Sequence, residues 1–597
     1  MTWPRPHPRH HRVLDAARQR DLDRQVGRAL GPMHGLPIPV KDSINTPIAT
    51  IASNRRDTGV STLEAITCGQ AAMKLLSAYE VDTVFGMAGT MTVELYRGLA
   101  LAGIRHVQCR NEQGASLMAD GYARATGKPG VCTIIAGPGV TNAATGIAQA
   151  YCDSQPLLVL SGACPTLTQA KGWGAIHELE DQAAVTAGFT AFSAMIRYPA
   201  ELPELIARAY AVFRGSRPRP VHLSLPRDVL PMPVEAEWKP RRAPSLPMPD
   251  PAAIEEAADR LAQAKRPLIL VGGGAVGTRE ALTDIAERIG APVLSTNAGK
   301  GILPQSHSLS LGCSIVQEAS QQALADADVV LLIGSELSAG DHFLPNLDIP
   351  GDIIRIDIDP TELTSMYSAA VPIQADARAA MRALSSALSS RKPATQRSQG
   401  EVRVRDVLAR NVAKMTEVER LHARVWKTLR SALPADAIVM GDASQIVYTG
   451  SFAMPMEMER CWYYSGTYCS LGVALPMAIG AKVGAPHRPV IAVAGDGGIM
   501  FTVNELATAA EERLALPIIV WNNDALKEIV DQMDRRQIPR IGVEPKSPDF
   551  LRLAEGLGCH AVRAESAAHL AQSLRDALVA DRPTLIEVRQ DSPWLLA

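Results

Sequence analysis

From about Leu63 onward, short apolar runs alternate with stretches of helical periodicity. "VDTVFGMAG", "IRHVQC", "GVCTIIAGPG" and "PLLVLSGA" read as buried strands bounded by turn residues. Such alternation predicts parallel strands joined by crossover helices. The block closes in the proline-rich "RPRPVHLSLPRDVLPMPV". A polar, proline-bearing linker, "EWKPRRAPSLPMPDP", leads to a second block with strands "PLILVGGG", "APVLST", "ADVVLLIGS" and "DIIRIDIDP". Beyond the polar "SSRKPATQRSQGEVR", a third block runs from about Val407 with "AIVMGDAS", "PVIAVAGDGG", "LPIIVWNND" and "PTLIEVRQD". The pattern predicts an α/β protein of three doubly wound parallel-sheet domains, over residues 61–235, 250–390 and 407–597. Residues 1–60 have a different character.

One unit carries chemistry. "GDGGIMFTVNELATAAEERLALPIIVWNN", Gly495 to Asn523, parses as strand, helix and strand. The helix is predicted over Thr502–Leu514, with Phe501, Val503, Leu506, Ala507, Ala510 and Leu514 on its apolar face. Asp496 and Asn523 then stand at the carboxyl ends of parallel strands, where open α/β sheets bind ligands. An aspartate oxygen, an asparagine oxygen and a nearby backbone carbonyl form a hard oxygen set that suits Mg²⁺. Gly495, Gly497 and Gly498 let backbone approach a diphosphate closely, and the following helix offers N–H donors. Either dipeptide alone is ordinary turn chemistry; joined by one such unit they read as a metal–diphosphate clamp.

Composition narrows the classes. The chain has 597 residues, with 60 basic against 62 acidic side chains and a net charge of −2. Bulk charge therefore gives no reason to expect a nucleic-acid or membrane-surface partner. No apolar run reaches the roughly 18 residues of a membrane span. The basic start "MTWPRPHPRHHRV" is followed by no apolar segment, so it does not read as a secretory signal. Nine scattered cysteines without a CxxC fit reduced thiols, and a cytoplasmic protein is expected.

GDG, then NN after one βαβ unit, resembles the signature of thiamine diphosphate enzymes of the acetolactate synthase and pyruvate decarboxylase superfamily. The resemblance covers about Thr62–Glu587. It implies that Asp496, Asn523 and the Ala525 carbonyl hold Mg²⁺, with Leu526 beside the cofactor. "RNEQGASLMADGYARATGKPG" is similar to the family's pyrimidine-binding motif, and "AGPGVTNAATGIAQAYCDSQPLLVLSG" continues the match. That similarity makes Glu112 the acid that hydrogen-bonds the pyrimidine ring and activates the coenzyme. Asn111 departs from the pattern, because many relatives place His beside this glutamate. "GTYCSLGVALPMAIGAK" is similar to the segment whose apolar wedge bends the cofactor, which implies Leu471. Gln445, in "GDASQIVYTG", falls where relatives place a polar residue near the thiazolium. Family members join the two domains' residues across subunits, so a homodimer or homotetramer is implied.

The glycine turn "VGGGAVG", Val271–Gly277, could cradle a dinucleotide. The family's middle domain often keeps this fold empty, so neither FAD nor ADP is expected. Residues 27–47 resemble the catalytic-lysine segment of amidase-signature hydrolases, with Lys41 at the lysine. No serine-rich nucleophile loop follows, so no acyl-enzyme chemistry is expected of it. "VELYRGL", "KGWGAIHELEDQ", "ELPELIARAYAVF" and "WNNDALKEI" resemble the branch that decarboxylates 5-guanidino-2-oxopentanoate. That resemblance implies 4-guanidinobutanal and CO₂ as products. A guanidinium wants a carboxylate offering two acceptors. Glu178, Glu180, Asp181, Glu528 and Asp531 are candidates, with Glu178 and Asp531 preferred. An acetolactate synthase-type carboligase and a non-catalytic cofactor-binding scaffold stay open as alternatives.

Overall fold

The computed structural model describes residues 66–235 and 237–596. The amidase-like segment and Lys41 lie outside the described residues. Three six-stranded sheets, each wholly parallel, follow one another along the chain.

The first sheet is built from Thr83–Gly86, Arg105–Gln108, Gly130–Ile134, Leu157–Ala163, Phe192–Met195 and Val221–Pro226. Counted in chain order within the sheet, these lie as 2-1-3-4-6-5. The third sheet repeats that order with Ile438–Gly441, Trp462–Tyr464, Val490–Gly495, Pro517–Asn522, His560–Arg563 and Thr584–Arg589. The middle sheet, Pro267–Val271 through Val371–Gln374, is ordered 3-2-1-4-5-6, the arrangement of dinucleotide-binding folds. Its glycine turn sits at the switch point but closes on protein. Gly274 N–H donates to the Gly334 carbonyl at 3.0 Å, and a Cβ on Gly272 would lie 2.4 Å from that oxygen.

Two segments differ from the sequence expectation. "VHLSLP", read as part of a proline-rich close, is a fully buried strand between Leu157–Ala163 and Phe192–Met195. Its polar His222 and Ser224 look like surface positions, yet they feed a buried network. The two His222 ring nitrogens sit 2.7 Å from Ser161 Oγ and Thr186 Oγ1. Gln182 Nε2 donates to Ser161 Oγ, the Gly162 carbonyl and Ser224 Oγ. The polar "SSRKPATQRSQGEVR" likewise contains the start of helix Arg397–Lys414. That helix spans residue 407 and buries Gly400, Val404 and Val407.

The first and third domains share one core, in which Leu117, Met118 and Ile147 pack with Ile438, Leu475 and Ile518. Helix Glu112–Thr126 crosses helix Ala474–Gly484 at glycines. A Cβ on Gly121 would lie 2.1 Å from the Met477 carbonyl oxygen, and one on Gly480 would lie 1.8 Å from that of Met118. Backbones can approach this closely only where no side chain intervenes. Among the described residues no helix is long and apolar enough to cross a membrane.

Burial pushes the His222 imidazole down from 6.5 to about 4. Between those values the unfolded chain binds the proton that the folded chain refuses, so stability falls as pH falls. Thermal unfolding from pH 7 to pH 4 should show the loss; His222 contributes at most roughly 3 kcal/mol of it. His422, also buried and pushed down to about 4, acts in the same window. His222→Gln should flatten the slope, and a variant with the wild-type slope would exclude His222 as a source.

Candidate active site

Strands Val490–Gly495 and Pro517–Asn522 run parallel with Gly495 opposite Trp521. Asp496 and Asn523 therefore emerge together at their carboxyl ends. Asp496 Oδ1 accepts the Gly497 N–H at 3.0 Å. Ser547 Oγ lies 3.0 Å from Asp496 Oδ2 and 3.1 Å from Asn522 Oδ1. Burial raises the pKa of Asp496, against the opposing pull of the Gly497 N–H and the Ser547 hydroxyl. The two asparagines divide their work. Asn522 points inward, donating to Glu587 Oε1 at 2.7 Å. Asn523 donates to Gln590 Oε1 at 3.3 Å, while its Oδ1 is buried without a hydrogen-bond partner.

Asp524 adopts left-handed backbone at φ +53°, turning the chain so that Ala525 and Leu526 follow beneath the glycine turn. The Leu526 N–H is tied to the Val543 carbonyl at 2.8 Å. A Cβ on Gly497 would lie 2.7 Å from Leu526 Cδ2, so Leu526 packs directly over this glycine. The expected helix over Thr502–Leu514 is shorter: Asp496–Ile499 form one helical turn and Glu505–Glu511 a second helix. Phe501, expected on the apolar face, is 59 % exposed. The break has causes. Thr502 Oγ1 donates to the Gly472 carbonyl at 2.7 Å, and the Glu505 carboxylate accepts the Arg110 and Asn111 N–H groups of the first domain.

Leu471, half-buried, precedes Gly472, whose φ is +80°. The residue that fixes this loop went unnoticed in the sequence. Asp442 is fully buried, and its carboxylate accepts the Gly472 N–H at 2.9 and 3.0 Å and the Ala443 N–H at 2.8 Å. Burial pushes Asp442 up to about 6. A Cβ on Gly498 would lie 2.8 Å from Asp442 Oδ2, so carboxylate, loop and glycine turn pack as one piece. The signal was an acid at a strand end in "GDAS", identical in kind to the one recognised at Asp496. Ser444 was also missed; its Oγ is buried and unpartnered, and its Cβ sits 3.3 Å from where a Cβ on Gly495 would be.

Gln445 begins helix Gln445–Ala453 and donates to both Glu528 Oε2, at 3.0 Å, and Asp531 Oδ2, at 2.9 Å. Burial disfavours the Asp531 charge, but Lys527 and Gln445 hold its carboxyl below the usual range. Glu112, 6 % exposed, opens its helix and accepts the Asn142 amide at 3.0 Å. Asn111 is that helix's N-cap, accepting the Gln113 N–H at 2.8 Å. Glu178 clasps its own loop, accepting the N–H groups of Lys171, Gly172 and Ala175 at 2.8 to 3.1 Å. Among the described residues no hydrogen bond joins Glu112 to Asp496, Asn523 or Asp531. Nor does any cluster of three His, Cys, Asp or Glu side chains form a metal site there. A cation at Asp496 would draw on amide and carbonyl oxygen.

Family comparison matches the N-terminal TPP binding domain of thiamine pyrophosphate enzymes at residues 66–185 and their central domain at 254–384. Their C-terminal TPP binding domain matches residues 442–588. The "Probable 2-ketoarginine decarboxylase AruI" of Pseudomonas aeruginosa is 46 % identical over 530 residues, 88 % of this chain and 94 % of the relative. The chain belongs to the thiamine pyrophosphate enzyme family. This thiamine pyrophosphate enzyme is also 32 % identical to the "Probable acetolactate synthase large subunit" of Methanocaldococcus jannaschii, over 87 % of the chain and 91 % of the relative. The large subunit of acetolactate synthase isozyme 1 from Escherichia coli is 30 % identical, over 89 % and 95 %. Glu112 lies in the N-terminal TPP binding domain; Gln445, Leu471 and the Asp496–Leu526 turn lie in the C-terminal one.

Because Asp442 must keep its place under Gly472, Gly498→Ala should displace that carboxylate. Titration calorimetry with thiamine diphosphate and Mg²⁺ is expected to show at least a ten-fold weaker uptake, with the far-ultraviolet spectrum unchanged. Wild-type uptake would mean that the contact is slack.

Proposed function

We propose that the chain is a thiamine diphosphate- and Mg²⁺-dependent decarboxylase converting 5-guanidino-2-oxopentanoate, by a non-oxidative reaction, into 4-guanidinobutanal and CO₂. The carrying observation is the buried, unpartnered Asn523 Oδ1 beside the buried Asp496, in a C-terminal TPP binding domain. A buried acceptor without a donor costs roughly 1–3 kcal/mol, which a hard cation offsets. The donor set fits: Asp496, Asn523 Oδ1 and the Ala525 carbonyl are the metal ligands in this reading. The substrate follows the relative named as a 2-ketoarginine decarboxylase.

When bound, thiamine diphosphate supplies the carbon nucleophile that takes the 2-oxo carbonyl and holds the electron pair left as CO₂ departs. The chain's own residues do the rest. Gly495, Gly497 and Gly498 admit the diphosphate, and Leu526 closes over that turn. Leu471, held by Asp442 through Gly472, would give an apolar support for the coenzyme rings. Glu112 would offer a carboxyl to the pyrimidine nitrogen. Gln445 would stand near the thiazolium, and over the whole reaction the carboxylate leaves as CO₂ and one proton takes its place, giving the aldehyde. For the substrate's cation, Asp531 is the supported partner. The Glu178 carboxylate is engaged by three backbone N–H groups, whereas Asp531 takes the Gln445 amide, shared with Glu528, and the Lys527 ammonium, side-chain donors that a bound cation can displace.

Family members join the residues of these two domains across subunits, and this reading carries that over as a homodimer, or a tetramer of such pairs. All nine cysteines are free, which favours a reducing compartment such as the cytoplasm.

Across basic, acidic and aliphatic 2-oxo acids, kcat/KM should be highest for 5-guanidino-2-oxopentanoate, with CO₂ and aldehyde in equal amounts. Abundant acetolactate from pyruvate would replace this reading by the carboligase. Glu112→Ala should lower kcat by at least about 100-fold, within the usual range for proton-transfer groups, while coenzyme uptake persists. Chelation of Mg²⁺, or Asn523→Ala, should instead abolish uptake itself, read as loss of the bound coenzyme's circular dichroism.

A further inference from the structure

The middle domain grips the third domain on both sides of Gln445 and Leu471. Lys300 Nζ donates to the Gly450 carbonyl at 2.9 Å and lies 3.9 Å over the Trp462 ring. Asn297 Oδ1 accepts Ser451 Oγ at 2.8 Å and Trp462 Nε1 at 3.0 Å. These contacts fix helix Gln445–Ala453. On the other side, a Cβ on Gly340 would lie 2.5 Å from the Gly466 carbonyl oxygen, and Ser338 Oγ is 3.3 Å from Thr467 Oγ1. That contact fixes the loop leading to Leu471.

Phe343 follows the second dock directly. Its backbone is left-handed at φ +57°, and its side chain is 54 % exposed. Phe343 is the left-handed C-cap of the turn Ala339–His342, its N–H donating to the Ala339 carbonyl at 2.8 Å, but a large aromatic ring left half in water there gains little from burial, and left-handed positions held by bulky residues gather at functional sites. The ring meets Tyr448 edge-on at 5.8 Å, and Tyr448 meets Tyr464 edge-on at 5.4 Å. Tyr448 lies one helical turn beyond Gln445. Its phenol pKa is raised by burial, then by the Cys469 thiol, and also by the Glu528 carboxylate, so Glu528 is within electrostatic reach.

An aromatic wall thus adjoins two carboxylates bridged by the Gln445 amide, of which Glu528 also accepts Gln532 Nε2 at 3.2 Å. Lys527 contacts Asp531, and Arg535 reaches Glu528 only at 3.6 Å from a 65 % exposed side chain. A planar cation with several donors matches such a place: its edge meets carboxylate oxygen and its face meets an aromatic ring. We propose that Phe343, supplied by the middle domain, is a specificity-determining residue that with Tyr448 forms an aromatic surface for the planar cationic end of the substrate, beside the Glu528–Gln445–Asp531 bridge. The assignment rests on the decarboxylase reading above and adds the recognition of the substrate's far end.

The test is a ratio. With holoenzyme, kcat/KM is measured for 5-guanidino-2-oxopentanoate and for 2-oxohexanoate, a 2-oxo acid with an uncharged aliphatic side chain of comparable stem. Wild type should favour the guanidino acid. Phe343→Ala and Phe343→Leu should each lower that preference by roughly ten-fold, through KM of the guanidino acid, and Phe343→Tyr should keep it. The leucine separates an aromatic face from mere apolar bulk. An unchanged ratio in both Phe343→Ala and Phe343→Leu, or a wild-type ratio in Phe343→Leu alone, would overturn the proposal. A wild type without preference for the guanidino acid would sink the underlying substrate reading before any variant is made.

Discussion

Asp496 is an ionisable group taken out of water at a strand end where, among the described residues, no lysine or arginine pairs with it. Its protein partners are the Gly497 N–H and the Ser547 hydroxyl. Next to it, Asn523 Oδ1 has none. Concentrated anionic and dipolar oxygen in a dry turn opposes folding unless something positive balances it. Much of the surrounding architecture holds these oxygens in place despite that opposition. Parallel register brings the two strand ends level, the left-handed Asp524 swings the chain back, and Leu526 packs over Gly497. Asp442 repeats the theme one strand away, a buried acid balanced only by backbone N–H groups.

The crossing of helices Glu112–Thr126 and Ala474–Gly484 is the second constraint. With glycine backbones in direct contact, the first and third domains have no freedom to slide. Glu505 reinforces the junction: its carboxylate accepts two N–H groups at the start of the helix that Glu112 opens. One packed body therefore carries Glu112 at the start of one helix and the Asp496 turn at a strand end of the third sheet, with the shared core between the two domains fixing both.

Legibility in the sequence followed physical class. Strands with unbroken apolar runs, such as Pro517–Asn522, were read correctly because burial on both faces leaves no polar interruption. Val221–Pro226 was missed because His222 and Ser224 are satisfied by partners distant in sequence, and a network of that kind has no local signature. That Asp496 and Asn523 emerge at neighbouring strand ends was legible, since both fall within one βαβ unit. Asp442 and Ser444 were not, though they border the same turn, because their meaning depends on Gly472, Gly495 and Gly498, brought to them by the fold. Residue identity alone also did not show that the Glu178 carboxylate accepts three N–H groups of its own loop.

The middle sheet has the strand order of a dinucleotide-binding fold and a glycine-rich turn at the expected switch point, yet that turn is packed against Gly334. Topology therefore says little about what this domain does; its outward contacts say more. Lys300, Asn297 and Gly340 all face the third domain, on either side of Gln445 and Leu471. A domain that ties down both the helix that Gln445 opens and the loop leading to Leu471 also limits the room beside them. The chemistry common to the family can then stay with the two outer domains, while the middle one shapes what they accept. Phe343 follows from that division: it lies on the middle domain, but its ring packs on a helix that begins at Gln445.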